Sequence, residues 1–367
     1  MTDSDPRVLL TGFPGFLGSA LLGRLLARGD EPVACLVQPQ YRPLAERRAA
    51  ELIEAVDGID ASSEPIRLYE GDITEPELGL DTGAFDALES VRECYHLAAV
   101  YDLGIQQDLA EAVNVRGTEH VLDAAETLDV DRFQYVSTCY VSGRYDGVFT
   151  EAHLEEGQSF NNHYEETKYR AEVLVQERMA EGLPATVYRP SIVVGDSETG
   201  ETGKYDGPYY LLRLLAAQPA ACSVGLSLPA SSRTELNVVP RDFVVNAIAH
   251  LSAHDDAVGE VYQLCDPTPL TVPPFVDALA DAMDHRVVSP LVPKSIARRV
   301  LAGIESMGLP AEPATIDYFD HPTSYACPNT RRALAGTELE CPPFGSYVER
   351  LVEFALEHPE IGDEAMV

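Results

Sequence analysis

Tyr164 and Lys168 stand four residues apart, in a stretch from 164 to 179 whose pattern predicts a helix. Residues with this spacing share one helical face and lie a turn apart. A nearby ammonium favours the phenolate, so we expect Lys168 to lower the pKa of Tyr164 from about 10 toward neutrality. Such a phenol can give a proton to a carbonyl oxygen that receives hydride, and can take it back in the reverse reaction. The alternative is an ordinary exposed Tyr/Lys pair.

A hydroxyl group is predicted to lie beside this phenol. Residues 132–137 read as a strand, and ligands bind at the carboxyl ends of strands in parallel sheets. Thr138 is the predicted partner of the substrate oxygen, with Ser137 as the fallback. Cys139 is a weaker candidate, as an acyl-accepting nucleophile, because no histidine stands at a helpful spacing.

A glycine-rich turn opens the chain, with the sequence TGFPGFLG at 11–18 between a short apolar strand and an apolar-periodic helix. Gly12 suits a tight turn, Gly15 lets the backbone approach a pyrophosphate, and Gly18 lets the helix pack closely on the sheet. The amino end of the helix then favours the diphosphate. This pattern predicts dinucleotide binding, against the alternative of a purely structural turn.

The elements that must position these residues alternate between strands and helices. Strands are predicted at 8–10, 32–37, 66–70, 94–98, 132–137, 186–188, 236–239 and 261–264, and helices at 44–56, 108–128, 164–179 and 241–250. This alternation is typical of an α/β fold with a doubly wound parallel sheet. We predict a nucleotide-binding domain over 1–190 and a smaller substrate lobe over 191–367, with 236–265 returning to the first domain. Residues 194–210 read as a mobile loop over the site.

The second strand ends at Gln38, where a site for NAD normally carries Asp or Glu to bind the ribose. Arg42, Arg47 and Arg48 follow on the next helix and could reach a 2′-phosphate. The sequence therefore favours NADP(H) over NAD(H). The alternative is that these arginines lie on a solvated helix face.

The charge is strongly acidic, with 60 Asp and Glu against 26 Lys and Arg and a net charge of −34. Only three of the basic residues are lysine. An evenly acidic, lysine-poor surface resembles proteins of salt-rich cytoplasm, the alternative being ordinary cytosol. Nucleic acid and anionic membranes are poor partners for either surface.

Composition also limits location and metal chemistry. No stretch approaches the roughly 18 apolar residues of a membrane span, and the amino terminus does not read as a signal peptide, so a cytoplasmic location is expected. The seven cysteines and nine histidines show neither disulfide nor metal-ligand spacing. His96 is predicted to be a packed core histidine rather than a catalyst. The oligomeric state stays open, with a homodimer as one option.

Seven blocks occur in order: TGFPGFLG (11–18), GDI (71–73), HLAA (96–99), NVRGT (114–118), YVST (135–138), YEETK (164–168) and RPS (189–191). Together they closely resemble the extended short-chain dehydrogenase/reductases, over about 7–265. The resemblance implies that Thr138 orients the substrate oxygen, Tyr164 donates the proton, Lys168 holds the nicotinamide ribose and Asn114 lies near a proton-relay water. The glycine turn, the end of the second strand and this resemblance together predict the following cofactor contacts: Thr11, Gly12, Phe13, Gly15, Phe16, Leu17, Gly18, Gln38, Arg42, Asp72, Ile73, Ala98, Ala99, Lys168, Pro190 and Ser191.

Two longer blocks, GDITEPELGL (71–80) and YRPSIVVG (188–195), look like the branch that contains fatty acyl-CoA reductases and the reductase domains of carboxylic acid reductases. That resemblance implies reduction of an acyl thioester, or of a long-chain aldehyde, with NADPH. Gln38 departs from the phosphate-binding Arg that this branch often carries. The alternatives are a nucleotide-sugar epimerase or dehydratase and, from another class, a dinucleotide-sensing regulator without catalysis.

Overall fold

The computed structural model describes residues 5–29, 31–56, 58–101, 104–307 and 311–362. Its centre is one parallel sheet of seven strands: β1 Val8–Thr11, β2 Val33–Val37, β3 Ile66–Glu70, β4 Glu93–His96, β5 Arg132–Val136, β6 Ala185–Pro190 and β7 Val261–Leu264. Their spatial order is β7-β6-β5-β4-β1-β2-β3. The order reverses at β1, so the chain winds outward in both directions, and the predicted doubly wound α/β fold is confirmed.

The helices are α1 Phe16–Arg28, α2 Arg42–Ala55, α3 Thr82–Asp86, α4 Gln107–Ala110, α5 Gly117–Thr127, α6 His163–Glu181, α7 Pro208–Ala216, α8 Arg241–Leu251, α9 Val272–Ala282, α10 Lys294–Ser306, α11 Pro328–Ala333 and α12 Val348–Glu357. One apolar cluster joins the sheet to α1, α2 and α8, and a second joins it to α5 and α6. Each face of the sheet is therefore covered, which explains why β1 and β2 are buried along their whole length.

The second half of the chain builds a lobe with a separate apolar core, to which α7, α9 and α12 contribute. Short strands pair there and around its edges: Gly147–Phe149, Ile192–Val194, Ser223–Val224, Glu235–Leu236, Val238–Pro240, Leu270–Thr271, Val287–Val288 and Thr323–Tyr325. Two elements return to the nucleotide-binding layer, because β7 pairs with β6 and α8 packs against α1. The domain boundary at 190 stays a prediction.

The connection predicted as a mobile loop is shorter than expected. Ile192–Val194 forms a strand beside Val238–Pro240, and α7 begins at Pro208, which leaves 195–207 as the loop. This loop is held by the carboxyl-terminal segment: the Tyr205 N–H donates to the Gly362 carbonyl at 3.0 Å, and the Tyr205 hydroxyl donates to the His358 carbonyl at 3.0 Å. Its anchors lie more than 150 residues away in sequence, and local sequence patterns carry no sign of them.

Among the described residues, no helix combines the length and apolar character that a membrane span requires.

Candidate active site

A cavity of about 450 Å³ runs along the carboxyl edge of the sheet and into the lobe. Of the predicted site residues, it is lined by Thr11, Gly12, Phe13, Gly15, Phe16, Leu17, Gly18, Gln38, Ile73, Ala98, Ala99, Thr138, Tyr164, Lys168, Pro190 and Ser191, and by the fallback Ser137. Arg42, Asp72 and Asn114 are not in its wall. The fold thus brings the glycine turn and the Tyr164/Lys168 helix to one space.

The glycine turn has no room for side chains. Gly12 has φ +92°, and a Cβ there would lie 2.8 Å from the Ala98 backbone nitrogen. A Cβ at Gly18 would lie 2.3 Å from the carbonyl oxygen of Gly12, which also accepts the Gly15 N–H at 2.8 Å. Gly12 and Gly18 are thus packed closely against backbone, and the amino end of α1 borders the cavity together with the side chains of Phe13, Phe16 and Leu17. The amino end of a helix favours the diphosphate of a dinucleotide.

Ser191 adds a polar atom to this fit. Its Oγ is buried in the cavity wall and, within the described part of the chain, has no hydrogen-bond partner. A buried hydroxyl ordinarily has one. A ligand with a polar group at this end of the cavity would satisfy it.

At the end of β2, the Gln38 Nε2 donates to the Asp72 Oδ2 at 2.9 Å. The other Asp72 oxygen accepts the Thr74 N–H at 2.8 Å. Both carboxylate oxygens of Asp72 are therefore hydrogen-bonded within the protein, and of the two residues Gln38 alone lines the cavity.

The structure does not bring Arg42 to the cavity. Its guanidinium pairs with Glu46 at 2.9 Å and with Glu70 at 3.3 Å, because both carboxylates flank it on the outer surface. Arg48 instead turns inward and donates to the Pro14 carbonyl in the glycine turn. A cofactor contact from Arg42, as predicted, has no support in this geometry.

Tyr164 faces the cavity with its ring packed edge-on against Tyr101, at 4.8 Å between centroids. Burial raises the pKa of Tyr164 well above its usual value, and a hydrogen bond with Thr138 opposes this rise only in part. The prediction that Lys168 lowers this pKa is therefore wrong for this structure, because loss of solvent outweighs other influences on the phenol.

Lys168 directs its ammonium to the neighbouring strand. The Nζ donates to the Tyr135 hydroxyl at 2.9 Å and to the Val136 carbonyl at 2.9 Å. Burial lowers the pKa of Lys168 to about 7, while the carboxylate of Glu172 acts in the opposite direction. The ammonium thus bonds to neutral groups and lies one helical turn from a buried negative charge.

The two candidate hydroxyls at the end of β5 have different partners. Ser137 Oγ donates to Glu172 Oε2 at 2.5 Å, on the helix side of the strand. Thr138 Oγ1 accepts the Tyr140 N–H at 3.2 Å and donates to the Pro190 carbonyl at 3.4 Å. Only the Thr138 hydroxyl also contacts the Tyr164 phenol, so the structure favours Thr138 over the fallback.

Two other reactive side chains are engaged inside the protein. His96 contacts the Thr11 hydroxyl at 2.7 Å and the Thr118 hydroxyl at 3.0 Å, and burial lowers its pKa to about 3. It is a core histidine, as predicted. Cys139 is buried, lies outside the cavity wall and donates to the Arg189 carbonyl at 3.0 Å, an arrangement that does not suit a nucleophile.

Asn114 lies in a π-helical turn, Glu111–Arg116, between α4 and α5. Its amide nitrogen donates to the Val100 carbonyl at 3.2 Å and to the Thr167 hydroxyl at 3.0 Å, and its oxygen accepts the Val100 N–H at 2.9 Å. Asn114 thereby joins the segment after β4 to the helix of Tyr164. The sequence carried no signal for the π-helical turn.

Sequence reasoning missed several polar side chains of the cavity wall. Lys204 lies over the Tyr101 ring, 5.0 Å from its centroid, and pairs with Asp206 at 3.0 Å. Tyr318 donates to Glu165, the residue after the candidate proton donor, at 2.8 Å. These residues come from the loop 195–207 and from the 3₁₀ segment Pro313–Asp320, neither of which has a diagnostic pattern.

The lobe end of the cavity is mainly apolar, with Glu312 and Thr315 as polar residues in its wall. Its wall includes Leu211, Leu214, Leu226, Leu236, Phe275, Leu301, Ile316 and Phe319. These side chains come from several separate elements and loops, and the lobe segments that carry them gave almost no chemical signal in the sequence. The cavity therefore joins a polar end at Tyr164 to a hydrophobic end.

Comparison with known proteins agrees with this geometry. Residues 10–248 match the family described as Male sterility protein, an NAD-binding family. One of the linear gramicidin synthase proteins of Brevibacillus parabrevis is 31% identical over 72% of this chain and 5% of its own length. Aldehyde reductase lnbA of Aspergillus flavus is 26% identical over 78% of this chain and 29% of its own length. The chain thus spans less than a third of either curated relative.

Solved structures of related fold also superpose on this chain. The terminal R domain of the myxalamid PKS-NRPS pathway superposes with a TM-score of 0.80 at 25% identity, covering 98% of this chain and 92% of that one. UDP-glucuronic acid 4-epimerase from Bacillus cereus, in complex with NAD, superposes with a TM-score of 0.67 at 17% identity, covering 96% and 97%. At that identity the epimerase shares the fold alone.

Proposed function

The chain belongs to the NAD-binding male sterility family of the extended short-chain dehydrogenase/reductases, and we propose that it reduces an acyl thioester or a long-chain aldehyde. It is an NAD(P)-dependent oxidoreductase. The observation that carries the proposal is the continuous cavity that joins the glycine turn, Thr138, Tyr164 and Lys168 to an apolar pocket.

Reduced nicotinamide, when bound, supplies the hydride that adds to the carbonyl carbon. Tyr164 gives its proton to the carbonyl oxygen, and Thr138 donates a hydrogen bond to the same oxygen as negative charge develops there. With a thioester, the resulting hemithioacetal loses the thiol and leaves the aldehyde. With an aldehyde, the product is the alcohol.

Tyr164 carries the proton that carbonyl reduction requires, since an ordinary phenol is protonated at neutral pH and burial raises the pKa of Tyr164 further. Lys168 lies one turn along α6 and holds the nicotinamide ribose, as the family resemblance implies. Asn114 supports this helix through Thr167 and, by the same resemblance, lies near a proton-relay water.

The apolar end of the cavity supports a substrate with an aliphatic chain. Burying one methylene group stabilises a complex by about 0.8 kcal/mol, so a wall of leucine and phenylalanine side chains favours long chains over short ones. The name of the aldehyde reductase from Aspergillus flavus points to the same reaction class.

The cofactor is a nicotinamide dinucleotide, and we propose NADP(H). No carboxylate follows β2 directly, since Gln38 stands there and donates to Asp72. Arg48 is not in the cavity wall either, but its guanidinium contacts the glycine turn that borders the cavity, so it replaces Arg42 as the candidate for the 2′-phosphate. A KM for NADPH well below that for NADH, with the difference reduced in Arg48→Ala, would support this choice; equal KM values would contradict it.

The reaction is tested by following nicotinamide absorbance with NADPH and NADH against acyl-CoAs and aldehydes of graded chain length. We expect turnover that improves with chain length. Tyr164→Phe should lower kcat by about 10²- to 10⁴-fold while leaving NADPH binding intact, because the phenyl ring keeps its place but has no proton. Unchanged turnover in that variant would refute the mechanism.

The same panel separates the alternatives. A UDP-sugar that raises the Tm, with no response to acyl-CoA, would indicate an epimerase or dehydratase. Cofactor binding without turnover of any substrate would indicate a regulator.

We further propose a cytoplasmic location, supported by seven unpaired cysteines, which suit a reducing compartment. Light scattering would test whether the protein forms a homodimer in solution.

A further inference from the structure

We propose that Glu172 is a positioning residue of the active site, whose buried carboxylate fixes the ends of two strands and balances the charge of Lys168. This inference rests on the proposed function and concerns a residue outside the cavity wall. Glu172 follows Lys168 by one turn of α6, so the positions 164, 168 and 172 form one stripe along the helix.

The carboxylate of Glu172 is fully buried and has four donors. Ser137 Oγ donates at 2.5 Å, Arg189 donates from Nε at 2.9 Å and from its terminal nitrogen at 2.6 Å, and Gln176 donates at 2.8 Å. Arg189 is equally buried and also donates to the backbone carbonyl of His153 at 2.9 Å. A fully bonded pair of this kind is rigid, because releasing either partner would leave a buried charge unpaired.

The two main partners of Glu172 each precede a residue that faces the cavity. Ser137 is followed by Thr138 at the end of β5, and Arg189 is followed by Pro190 at the end of β6. The Thr138 hydroxyl in turn donates to the Pro190 carbonyl at 3.4 Å. β5 and β6 already pair in the sheet, so the carboxylate ties α6 to the ends of both strands, and the placement of Thr138 against Tyr164 depends on this link.

The second proposed effect of Glu172 is on the charge of Lys168. Lys168 is surrounded by Tyr135 from β5, His96 from β4 and Tyr164 and Glu172 from its own helix. His96 is neutral and both tyrosines are protonated, since burial lowers the pKa of the histidine and raises the pKa values of the phenols.

Glu172 is thus the negative group that opposes the burial of the ammonium. Arg189 faces Glu172 from β6 and neutralises part of it. Without the carboxylate, Lys168 would lose its proton at a lower pH.

The test uses the full chain and three variants. Glu172→Gln alone leaves Arg189 unpaired and is open to misfolding. The double variant Glu172→Gln/Arg189→Met removes both charges, and Glu172→Asp keeps the charge. The matched control is Glu111→Gln/Arg170→Met, which removes an ion pair on the exposed side of the same helix.

The first readout is the pKa of Lys168, measured by NMR on protein with ¹³C-labelled lysine. The chain has only three lysines, so signals can be assigned by substituting Lys204 and Lys294. We expect a midpoint lower by about one pH unit in Glu172→Gln/Arg189→Met, corresponding to a tenfold weaker proton affinity. The control pair and Glu172→Asp should stay near wild type.

The second readout is kcat/KM for carbonyl reduction against pH. In Glu172→Gln/Arg189→Met we expect kcat/KM to fall by about 10- to 100-fold, because Thr138 is misplaced. The decline of kcat/KM on the alkaline side of the pH profile should also begin at a lower pH. Glu172→Asp should restore part of both losses. A folded double variant with an unchanged Lys168 midpoint and unchanged kcat/KM would overturn the proposal. The NMR readout needs no turnover, so an inactive wild-type protein would refute the proposed function without deciding this inference, which the midpoint then decides alone.

Discussion

At the scale of single residues, neighbours decide which hydroxyl and which proton are available. Ser137 and Thr138 are adjacent and chemically alike, but the hydroxyl of Ser137 is bonded to Glu172 while that of Thr138 reaches Tyr164. Burial likewise raises the pKa of Tyr164, although the spacing from Lys168 predicted a lower value. Chemical type alone determined neither outcome.

Thr138 offers the first prediction at this scale. Thr138→Val keeps the shape but removes the donor to the developing oxyanion, so we expect kcat to fall by about 10²- to 10³-fold. Thr138→Ser retains the hydroxyl and should lose far less. Steady-state kinetics on an acyl-CoA or aldehyde would measure both. A loss in Thr138→Ser as large as or larger than that in Thr138→Val would contradict the assigned role of the hydroxyl.

At the scale of elements, the glycine turn and α1 act as one unit. Both glycines that adjoin the sheet are constrained by backbone contacts: Gly12 by the segment after β4, and Gly18 by the carbonyl of Gly12. Gly23 lies in the same helix, and a Cβ there would make an ordinary contact of 3.5 Å with the Leu52 side chain. Gly18 and Gly23 therefore form a matched pair for substitution within α1, one tightly packed and one with room for a Cβ.

We expect Gly18→Ala to lower the free energy of unfolding by about 1–3 kcal/mol and to weaken dinucleotide binding, because the helix must move away from the turn. Gly23→Ala should instead raise the free energy of unfolding by about 0.5–1 kcal/mol, since alanine costs less backbone entropy in a helix. Urea unfolding and a fluorescence titration with NADPH would measure these effects. Normal binding in Gly18→Ala would contradict the close packing described for this turn.

At the scale of the whole molecule, the net charge of −34 opposes the compact state through self-repulsion. Carboxylates spread over the surface repel one another in the compact state, and this repulsion falls as salt shortens the screening length from about 10 Å at 0.1 M to about 3 Å at 1 M. We propose on this ground that the protein is adapted to a salt-rich cytoplasm.

We expect the Tm to be higher in 1 M KCl than in 0.1 M KCl. The reason is that screening raises the free energy of unfolding by on the order of 1 kcal/mol or more. Sucrose provides the control, because it stabilises by exclusion from the surface without screening charge. Its effect should be the same at low and high salt. A Tm that does not change with KCl would exclude the proposed adaptation.

The sequence by itself determined the fold and the order of its elements. The strands Ile66–Glu70 and Val261–Leu264 were predicted with their observed bounds, and the other five sheet strands within one or two residues at either end. This succeeded because a parallel sheet buried on both faces needs continuous apolar strands between amphipathic helices, and both patterns are local. The motif positions at Thr138, Tyr164 and Lys168 were likewise readable, because helical and strand-end geometry follows from spacing.

Only the tertiary structure decided what depends on distant contacts. Burial reversed the expected pKa of Tyr164, Arg42 proved to be paired with Glu46 and Glu70, and the polar residues Lys204 and Tyr318 entered the cavity wall. The buried carboxylate of Glu172 also became visible only once β5, β6 and α6 were assembled. Desolvation and ion pairing depend on which surfaces meet, and residues far apart in the chain supply those surfaces.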